Sequence, residues 1–414
     1  MRDAMERFEF ALFEFDIAKP DGFGFGSPMM FRNQPVRRTA CLAPALVLPA
    51  LLTLTACGAS LPREPAPLSE EARAAITDTA GAPREQLARE VDDLFAKDGL
   101  GETRAVVVMA NGEIAAERYG KSYDADTRFV SWSMAKTVTA VLIGMLVADG
   151  LLALDEPAPV DLWQRPGDPR AAITLRHLLQ MRSGLRHTEA GDIPYESSEV
   201  RMLFLDGRDD MAKWAEEQPL EAEPGERFEY SSNTTVILAD IAADALADSD
   251  DPETRRKAVA DLLQDRLFGP LGMDSIVPEF DASGTLIGGS LMHATARDWA
   301  KFGEFLRRKG RAPGGEQLVP SRWVEAMVSP SPASPHYGLQ TWLNRPVEGL
   351  EFPHPLFPER ASDRLFSLIG HMGQYVLVAP DRRLTVVRLG HSNGNERRAM
   401  LQQAADVIEL YPER

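Results

Sequence analysis

Cysteine is scarce in this sequence, with two in 414 residues. Cys41 and Cys57 both lie near the N-terminus, so the chain after them has no thiol for a disulfide, a cysteine nucleophile or a cysteine-ligated metal. The seven histidines are scattered without the spacing of metal ligands. We therefore predict no metal and no cofactor.

Positive charge is also limited. The chain has 45 basic and 62 acidic residues, which gives a formal net charge of -17. Aromatic residues make up 7% of the chain and are not interleaved with basic ones. This balance argues against nucleic acid, or an anionic membrane surface, as the main partner.

The sequence also lacks a long apolar run near its N-terminus. The apolar stretch there, residues 40–54, is too short to span a bilayer comfortably. A basic region, Phe31–Arg38, precedes this stretch, and small residues follow it, which is the order of a secretory signal. Leu54-Thr-Ala-Cys57 is similar to a bacterial lipobox, whose cysteine carries lipid and becomes the mature N-terminus. The alternative is a simple apolar leader that contains Cys57 by chance. We expect an exported, periplasmic protein whose only membrane contact is a lipid anchor.

The residues before this signal have no place in a secretory leader, and Met29 and Met30 stand where such a leader should begin. We therefore expect residues 1–57 to comprise a spurious extension followed by the leader. Residues 58–80, which are rich in proline near their start, are expected to be a linker. Residues 81–414 are expected to form the folded domain.

Hydrophobic periodicity divides this domain into three parts. Residues 104–119, with Asn111-Gly112 at the turn, predict a β-hairpin. Helical patterns dominate the centre, and three strand-like runs follow at 364–369, 375–379 and 384–389. A closing amphipathic helix covers 397–410. We predict an α+β fold, an α/β sandwich in which one antiparallel sheet from both termini is flanked by helices, with a helical insert.

Ser133 and Lys136 stand at the start of an apolar helix that ends at Asp149-Gly150. The spacing i, i+3 places both side chains on one helix face, where an amine of lowered pKa can accept the hydroxyl proton. With 22 serines and eight lysines, chance alone supplies about 0.4 such pairs in the chain. The alternative is a helix cap followed by a solvated lysine.

Two further stretches contain candidate active-site groups. Tyr230 lies in a loop just before a helix, and a phenol near a protonated amine is expected to have a lowered pKa and to relay protons. Gly370-His-Met-Gly-Gln374 is expected to be a strand segment that approaches a ligand closely and offers an oxyanion donor. The alternatives are a packed aromatic residue and a bulge or tight turn.

In this order, Ser133-Met-Ala-Lys136, Tyr230-Ser-Ser232 and His371-Met-Gly373 resemble the motifs of the serine β-lactamase and penicillin-binding-protein superfamily. The likeness runs from about Leu94 to the C-terminus. It is strongest for the class C-like branch, which includes esterases and 6-aminohexanoate-dimer hydrolases. The resemblance implies a β-lactamase/transpeptidase-like fold and an acyl-enzyme mechanism.

The same resemblance implies a role for each matching residue. Ser133 would be the nucleophile, Lys136 its base and Tyr230 the proton relay that also protonates the leaving group. The backbone amides of Ser133 and Gln374 would form the oxyanion hole. The residues that would complete the oxyanion and substrate-binding site are Ser232, Asn233, His371, Gly373 and Gln374.

Two departures from the β-lactamase pattern bear on the substrate. His371 stands in the first position of what is Lys-Thr-Gly in β-lactamases, so a fixed charge for a substrate carboxylate is missing. Class C enzymes have Tyr-x-Asn, whereas here Ser232 is third and Asn233 is one residue late. We therefore predict a serine hydrolase that cleaves a small ester or amide. The alternatives are a β-lactamase or D-alanyl-D-alanine carboxypeptidase, and an inactive lipid-anchored cell-wall-binding protein.

The lipid-anchor prediction can be tested by changing the cysteine. Cys57→Ala should move the protein from the membrane pellet to the soluble fraction, because the lipidated residue is lost. Cys41→Ala is the matched control and should sediment like the wild type. Sedimentation of Cys57→Ala with membranes would contradict the assignment.

Overall fold

An early and a late segment of the described chain pair within one antiparallel sheet. β1 (Glu102–Ala110) pairs with β2 (Glu113–Tyr119) through the predicted hairpin, and on its other side with β9 (Leu384–His391). Outward from β9 the sheet continues with β8 (Gln374–Ala379), β7 (Phe366–Gly370) and β6 (Trp342–Leu343). The predicted α+β architecture, with a helical insert between the sheet's two halves, is confirmed.

The computed structural model describes residues 67–191, 193–347 and 355–414. The spurious extension, the leader and Cys57 lie outside these residues, and their assignments stay predictions. The linker expected over 58–80 is described only in its last part. There Ala72, Ile76 and Ala80 are buried, and the Thr77 hydroxyl donates to the carbonyl oxygen of Ile114 at 2.8 Å. The folded domain therefore begins before the expected residue 81.

Along the chain, most of the helices come between β2 and β6. In chain order, the α-helices of five or more residues in the described ranges are α1 (Glu70–Ala74), α2 (Arg84–Ala96), α3 (Ala135–Ala148), α4 (Leu175–Leu179), α5 (Ser198–Phe204), α6 (Met211–Glu216), α7 (Ser232–Leu246), α8 (Pro252–Leu263), α9 (Ala296–Arg307), α10 (Ser321–Met327) and α11 (Gly394–Glu409). No helix in the described ranges is both long and apolar enough to cross a membrane.

Successive side chains of β1 point to opposite faces of the sheet and enter two different hydrophobic cores. Val106 and Val108 face one side of the sheet, where the apolar faces of α2 and α11 cover them. Ala105 and Val107 face the other side and belong to the larger core, which is built around α3, α7 and α9. The sheet is thus covered on both faces, and α3 lies inside the larger core. Every residue of α3 from Ala135 to Leu146 is buried, as its all-round apolar pattern predicts.

A second, small sheet was not predicted. It consists of β3 (Phe129–Val130), β5 (Met292–Ala294) and β4 (Val277–Pro278), with β5 in the middle. These strands have two or three residues each, so the alternation that identifies a strand has no room to appear. The small sheet matters because β3 leads directly into the segment that contains Ser133.

A cap sets the start of α7, because the Ser231 hydroxyl accepts from the Thr234 amide at 3.1 Å and the helix begins at Ser232. The sequence pattern identified neither α5 nor α10. Both missed helices have seven residues, which is too short for a clear apolar period.

Gly144 allows α3 and α10 to pack closely. A Cβ at Gly144 would overlap Trp323 Nε1, which donates to the Ala140 carbonyl oxygen of α3 at 3.0 Å. Gly144→Ala should therefore destabilise the protein by about 1–3 kcal/mol through overpacking, although alanine has the higher helix propensity. Thermal or denaturant unfolding measures the change. Gly314→Ala, at a position with open space around it, is the control, and equal stability of the two variants would contradict the packing argument.

Candidate active site

Ser133 lies in a strained turn at the entrance of α3. The turn is one 3₁₀ helix, Trp132–Met134, and Trp132 has φ of 45°, a left-handed conformation that costs energy for a bulky side chain. Ser131 ties the turn to β5, because its amide donates to the Met292 carbonyl oxygen at 2.7 Å and its hydroxyl accepts from the Met292 amide at 3.1 Å. The amide of Ser133 lies in the first turn, whose N–H groups have no partner within the helix.

Lys136 is buried beneath Ser133, with 1% of its surface exposed. Its Nζ lies 3.0 Å from Ser133 Oγ, 2.8 Å from Ser232 Oγ and 2.7 Å from the Gly289 carbonyl oxygen. A neutral amine has two hydrogens and one lone pair. As an ammonium ion, Lys136 can donate to all three oxygens. As a neutral amine, it can keep the carbonyl and the Ser232 hydroxyl as acceptors and accept the Ser133 proton with its lone pair.

Burial lowers the pKa of Lys136, and the negative charges of Glu189 and Glu199 oppose this shift. The lowered pKa increases the fraction of lysine that is neutral and basic near neutral pH. The alternative interpretation of Lys136 as a solvated lysine is therefore wrong.

The phenol of Tyr230 completes the contacts of the nucleophile. Its hydroxyl is hydrogen-bonded to the Ser133 hydroxyl, and Lys136 Nζ lies 4.9 Å from the centre of its ring. The expected lowering of its pKa is wrong. Burial raises the pKa of Tyr230 well above its usual value, and the neighbouring Tyr337 and Glu189 add to the shift. Tyr230 therefore stays protonated and is suited to donate a proton.

Ser232 and Asn233 were expected to contact substrate, but both are buried at the start of α7. The Ser232 hydroxyl has no exposed surface and accepts a hydrogen bond from Lys136, so it contacts the lysine rather than a substrate. Neither polar atom of the Asn233 side chain has a hydrogen-bond partner within the described ranges.

Two carboxylates of the site were not predicted. Glu189 Oε1 accepts from Ser232 Oγ at 2.7 Å, and its Oε2 accepts from the Ser232 amide at 2.8 Å and contacts His187 Nε2 at 2.6 Å. Glu199 Oε1 lies 2.9 Å from Ser232 Oγ and 3.1 Å from Ser290 Oγ. With 62 acidic residues in the chain, no spacing singles out these two.

The expected strand segment at His371–Gly373 is wrong, because these residues form the turn between β7 and β8. Met372 and Gly373 have φ of 58° and 87°, as a tight turn requires. Arg388 of β9 stabilises the turn by donating to the Gly373 carbonyl oxygen at 2.9 Å. The alternative given for this segment, a tight turn, is therefore correct.

Gln374 was expected to supply an oxyanion amide, but the structure gives it another role. It is paired with Gly370 across the hairpin, and its side chain bonds both the amide and the carbonyl group of Gly390. The last residues of β7 offer an alternative donor. The Leu365 carbonyl oxygen accepts from the Asn344 amide, so the backbone groups of Leu365 face the β6 edge of the sheet. Every second residue of a strand faces the same edge, so the Ile369 amide also faces it, beyond the point where β6 ends.

Gly370 brings this edge of β7 against the nucleophile turn. A Cβ at Gly370 would overlap the Ser131 carbonyl oxygen, so only glycine permits the approach. The His371 ring lies 5.4 Å from the Trp132 ring, next to Ser133. Burial lowers the pKa of His371 to about 4, with a smaller contribution from Arg397, so the imidazole is neutral at physiological pH.

A sequence model of the beta-lactamase family matches residues 99–409. The chain belongs to the beta-lactamase family. Two characterised proteins are similar in sequence to this chain. A 6-aminohexanoate-dimer hydrolase from Paenarthrobacter ureafaciens is 24% identical over 245 residues, or 55% of this chain and 57% of that protein. Esterase EstB from Burkholderia gladioli is 31% identical over 177 residues, or 37% of this chain and 44% of the esterase. The matches thus span about half the length of these relatives.

Solved structures show the same fold. A beta-lactamase from Mycobacterium bovis superposes with a TM-score of 0.56 at 20% identity, covering 78% of this chain and 100% of that one. A family VIII carboxylesterase superposes with a TM-score of 0.57 at 16% identity, covering 81% and 98%. The predicted β-lactamase/transpeptidase-like fold is confirmed.

Arg388 provides a test of how this beta-lactamase-family site is supported. The side chain has no exposed surface, and besides Gly373 it donates to the Glu102 carbonyl oxygen at 3.0 Å and to Ser392 Oγ at 2.8 Å. Arg388→Met should cost about 2 kcal/mol or more in the free energy of unfolding, because buried acceptors lose their donor. Denaturant unfolding measures this loss. Arg364→Met, at an exposed arginine, is the control, and an equal effect of both would refute the supporting role.

Proposed function

We propose that this protein is an exported serine hydrolase that cleaves a small ester or amide through an acyl-enzyme on Ser133. The observation that carries the proposal is the contact of Ser133 Oγ with the buried Lys136 amine at 3.0 Å, together with the Tyr230 phenol on the same hydroxyl. Membership of the beta-lactamase family, and similarity to an esterase and to a 6-aminohexanoate-dimer hydrolase, support the same chemistry.

Acylation begins with transfer of the Ser133 hydroxyl proton to Lys136 Nζ. The serine oxygen attacks the substrate carbonyl carbon and forms a tetrahedral oxyanion. The new ammonium ion retains the Gly289 carbonyl and the Ser232 hydroxyl as acceptors, at 2.7 and 2.8 Å. Because these acceptors are already in place, the proton transfer requires little rearrangement.

We assign the oxyanion hole to the backbone amides of Ser133 and Ile369. Ser133 offers an N–H at the entrance of α3, where the helix dipole also favours negative charge. Ile369 faces the open edge of β7, and Gly370 holds that edge against the nucleophile turn. This pair replaces the pair of Ser133 and Gln374 expected from the sequence.

Tyr230 protonates the leaving group as the tetrahedral intermediate collapses. The bond between the carbonyl carbon and the leaving oxygen or nitrogen breaks, that atom takes the phenol proton, and the Lys136 ammonium returns a proton to the phenolate. Its raised pKa keeps Tyr230 protonated in the resting site, as this role requires. Water then attacks the acyl-enzyme by the reverse sequence and regenerates Ser133.

The surroundings of Tyr230 favour an uncharged, apolar substrate group. Its ring lies 5.2 Å from Trp342, and Trp342 packs with Tyr337 at 4.9 Å and with His336 at 5.8 Å. Neutral His371 supplies no positive charge for a substrate carboxylate above about pH 4. Both features favour a simple ester or amide over a β-lactam.

The nucleophile can be tested with a fluorophosphonate probe and p-nitrophenyl esters. Ser133→Ala should abolish labelling and lower kcat/KM by about 10⁴-fold or more, because no other group forms the acyl-enzyme. The exposed Ser122→Ala is the matched control and should behave like the wild type. Equal labelling of wild type and Ser133→Ala would show that the nucleophile is wrong.

The same assay series distinguishes the substrate classes. Ester turnover should exceed nitrocefin turnover in the wild type. Nitrocefin hydrolysis at rates rivalling ester cleavage would overturn the substrate preference and favour a β-lactamase. Labelling of Ser133 without turnover of any ester would instead favour a binding protein that kept the fold.

A further inference from the structure

Two carboxylates from separate parts of the helical region meet on one hydroxyl group behind Lys136. Ser232 Oγ lies 2.7 Å from Glu189 Oε1 and 2.9 Å from Glu199 Oε1, and it also accepts from Lys136 Nζ at 2.8 Å. Glu189 precedes α5 and Glu199 lies in its first turn, while Ser232 is the first residue of α7. The acylation scheme uses neither carboxylate, so their placement needs its own explanation.

The contacts of Ser232 fix the number of protons in this cluster. A serine hydroxyl has one hydrogen, so it can donate to only one of the two carboxylates. The second oxygen–oxygen contact, at hydrogen-bond distance, therefore needs a hydrogen that belongs to a carboxyl group. Two ionised carboxylates side by side would also repel each other in a buried site. The pair thus holds one proton in addition to that of the hydroxyl.

The remaining partners decide which carboxyl holds this proton. Glu189 Oε2 accepts at 2.8 Å from the Ser232 amide, which can only donate, and lies 2.6 Å from His187 Nε2. Hydrogen bonds donated to a carboxylate favour its ionised form. Glu199 instead faces two hydroxyl groups, Ser232 and Ser290, and both can accept a hydrogen bond.

We propose that Glu189 and Glu199 share a single proton, held by Glu199, so that the pair presents one negative charge to the base Lys136. Both residues are positioning residues that act on the substrate only through Lys136, and the proposal rests on the proposed function of that lysine. Two negative charges would hold the lysine as an ammonium ion and block its action as a base. With no charge, the ammonium ion formed during acylation would lose its buried counter-charge.

The pKa values of the pair agree with this distribution. Burial raises the pKa of Glu199 to about 7, and the charge of Glu189 adds to the shift. Burial acts in the same direction on Glu189, but the hydrogen bond from His187 and the charge of Lys136 hold its pKa at about 2. Five titratable groups interact with the pair: Lys136 from α3, His187 from the segment after α4, Tyr230 from the loop before α7, Tyr337 from the segment before β6, and His371 from the turn between β7 and β8.

The pH dependence of ester hydrolysis tests the proposal. The acid limb of kcat/KM reports deprotonation of Lys136. Glu189→Gln removes a negative charge near the ammonium ion, which lowers the pKa of Lys136, so the limb should move down by about one pH unit or more. The loss of the counter-charge should also lower kcat at least about 10-fold. Glu189→Asp should partly restore both.

Glu199→Gln is the discriminating variant, because glutamine is neutral and keeps a hydrogen-bond donor. The acid limb should stay where it is in the wild type. A downward shift equal to that of Glu189→Gln would show that both carboxylates are ionised and would overturn the proposal. The exposed Glu196→Gln, between the two positions in sequence, is the matched control for the loss of one acidic residue.

A second measurement needs no substrate. Infrared spectroscopy of the wild type at about pH 6, below the pKa of Glu199, should show the carbonyl stretch of a protonated carboxyl group that disappears in Glu199→Gln and remains in Glu196→Gln. Absence of a band that depends on Glu199 overturns the proposal even if esters are hydrolysed. Presence of that band in a protein without any turnover would instead place the failure in the proposed function, which separates the two outcomes.

Discussion

The burial of Lys136 requires the rest of the site to supply hydrogen-bond partners for its amine. An amine inside an apolar core is stable only when its hydrogen-bonding groups find partners, and Lys136 finds three of them in Ser133, Ser232 and Gly289. Each partner comes from a different element, so α3, α7 and the loop before β5 must be packed together before the lysine is satisfied. Burial in the hydrophobic core therefore lowers the pKa of the lysine and favours its neutral form, which can accept a proton.

Sequence patterns identify those parts of the molecule in which a single local signal is strong. The hairpin at Asn111-Gly112, the apolar α3 and the late strands all have long periodic runs or specific turn residues. Ser133, Lys136 and Tyr230 are identifiable because three weak motifs recur in a known order, and the structure brings all three together. Short elements such as α5 and the small sheet lack the length from which a period can be recognised.

The remaining site residues depend on long-range contacts that no spacing encodes. Glu189 and Glu199 become distinctive only when they lie against Ser232, some 30 to 45 residues away in sequence. The role proposed for Ile369 depends on which edge of β7 is left open, and that is a property of the neighbouring strand. The direction of the Tyr230 pKa shift was mistaken for the same reason, since the nearby amine was visible in sequence and the extent of burial was not.

The pairing of β1 with β9 has a consequence for how the chain acquires its structure. Glu102 lies opposite His391, so this strand pair joins segments that are far apart in the described chain. Contacts of such long range form slowly, because a large loop must close before they contribute. A ribosome-bound chain cannot complete this sheet until β9 has emerged. Truncation within β9 would remove an inner strand of the sheet together with α11.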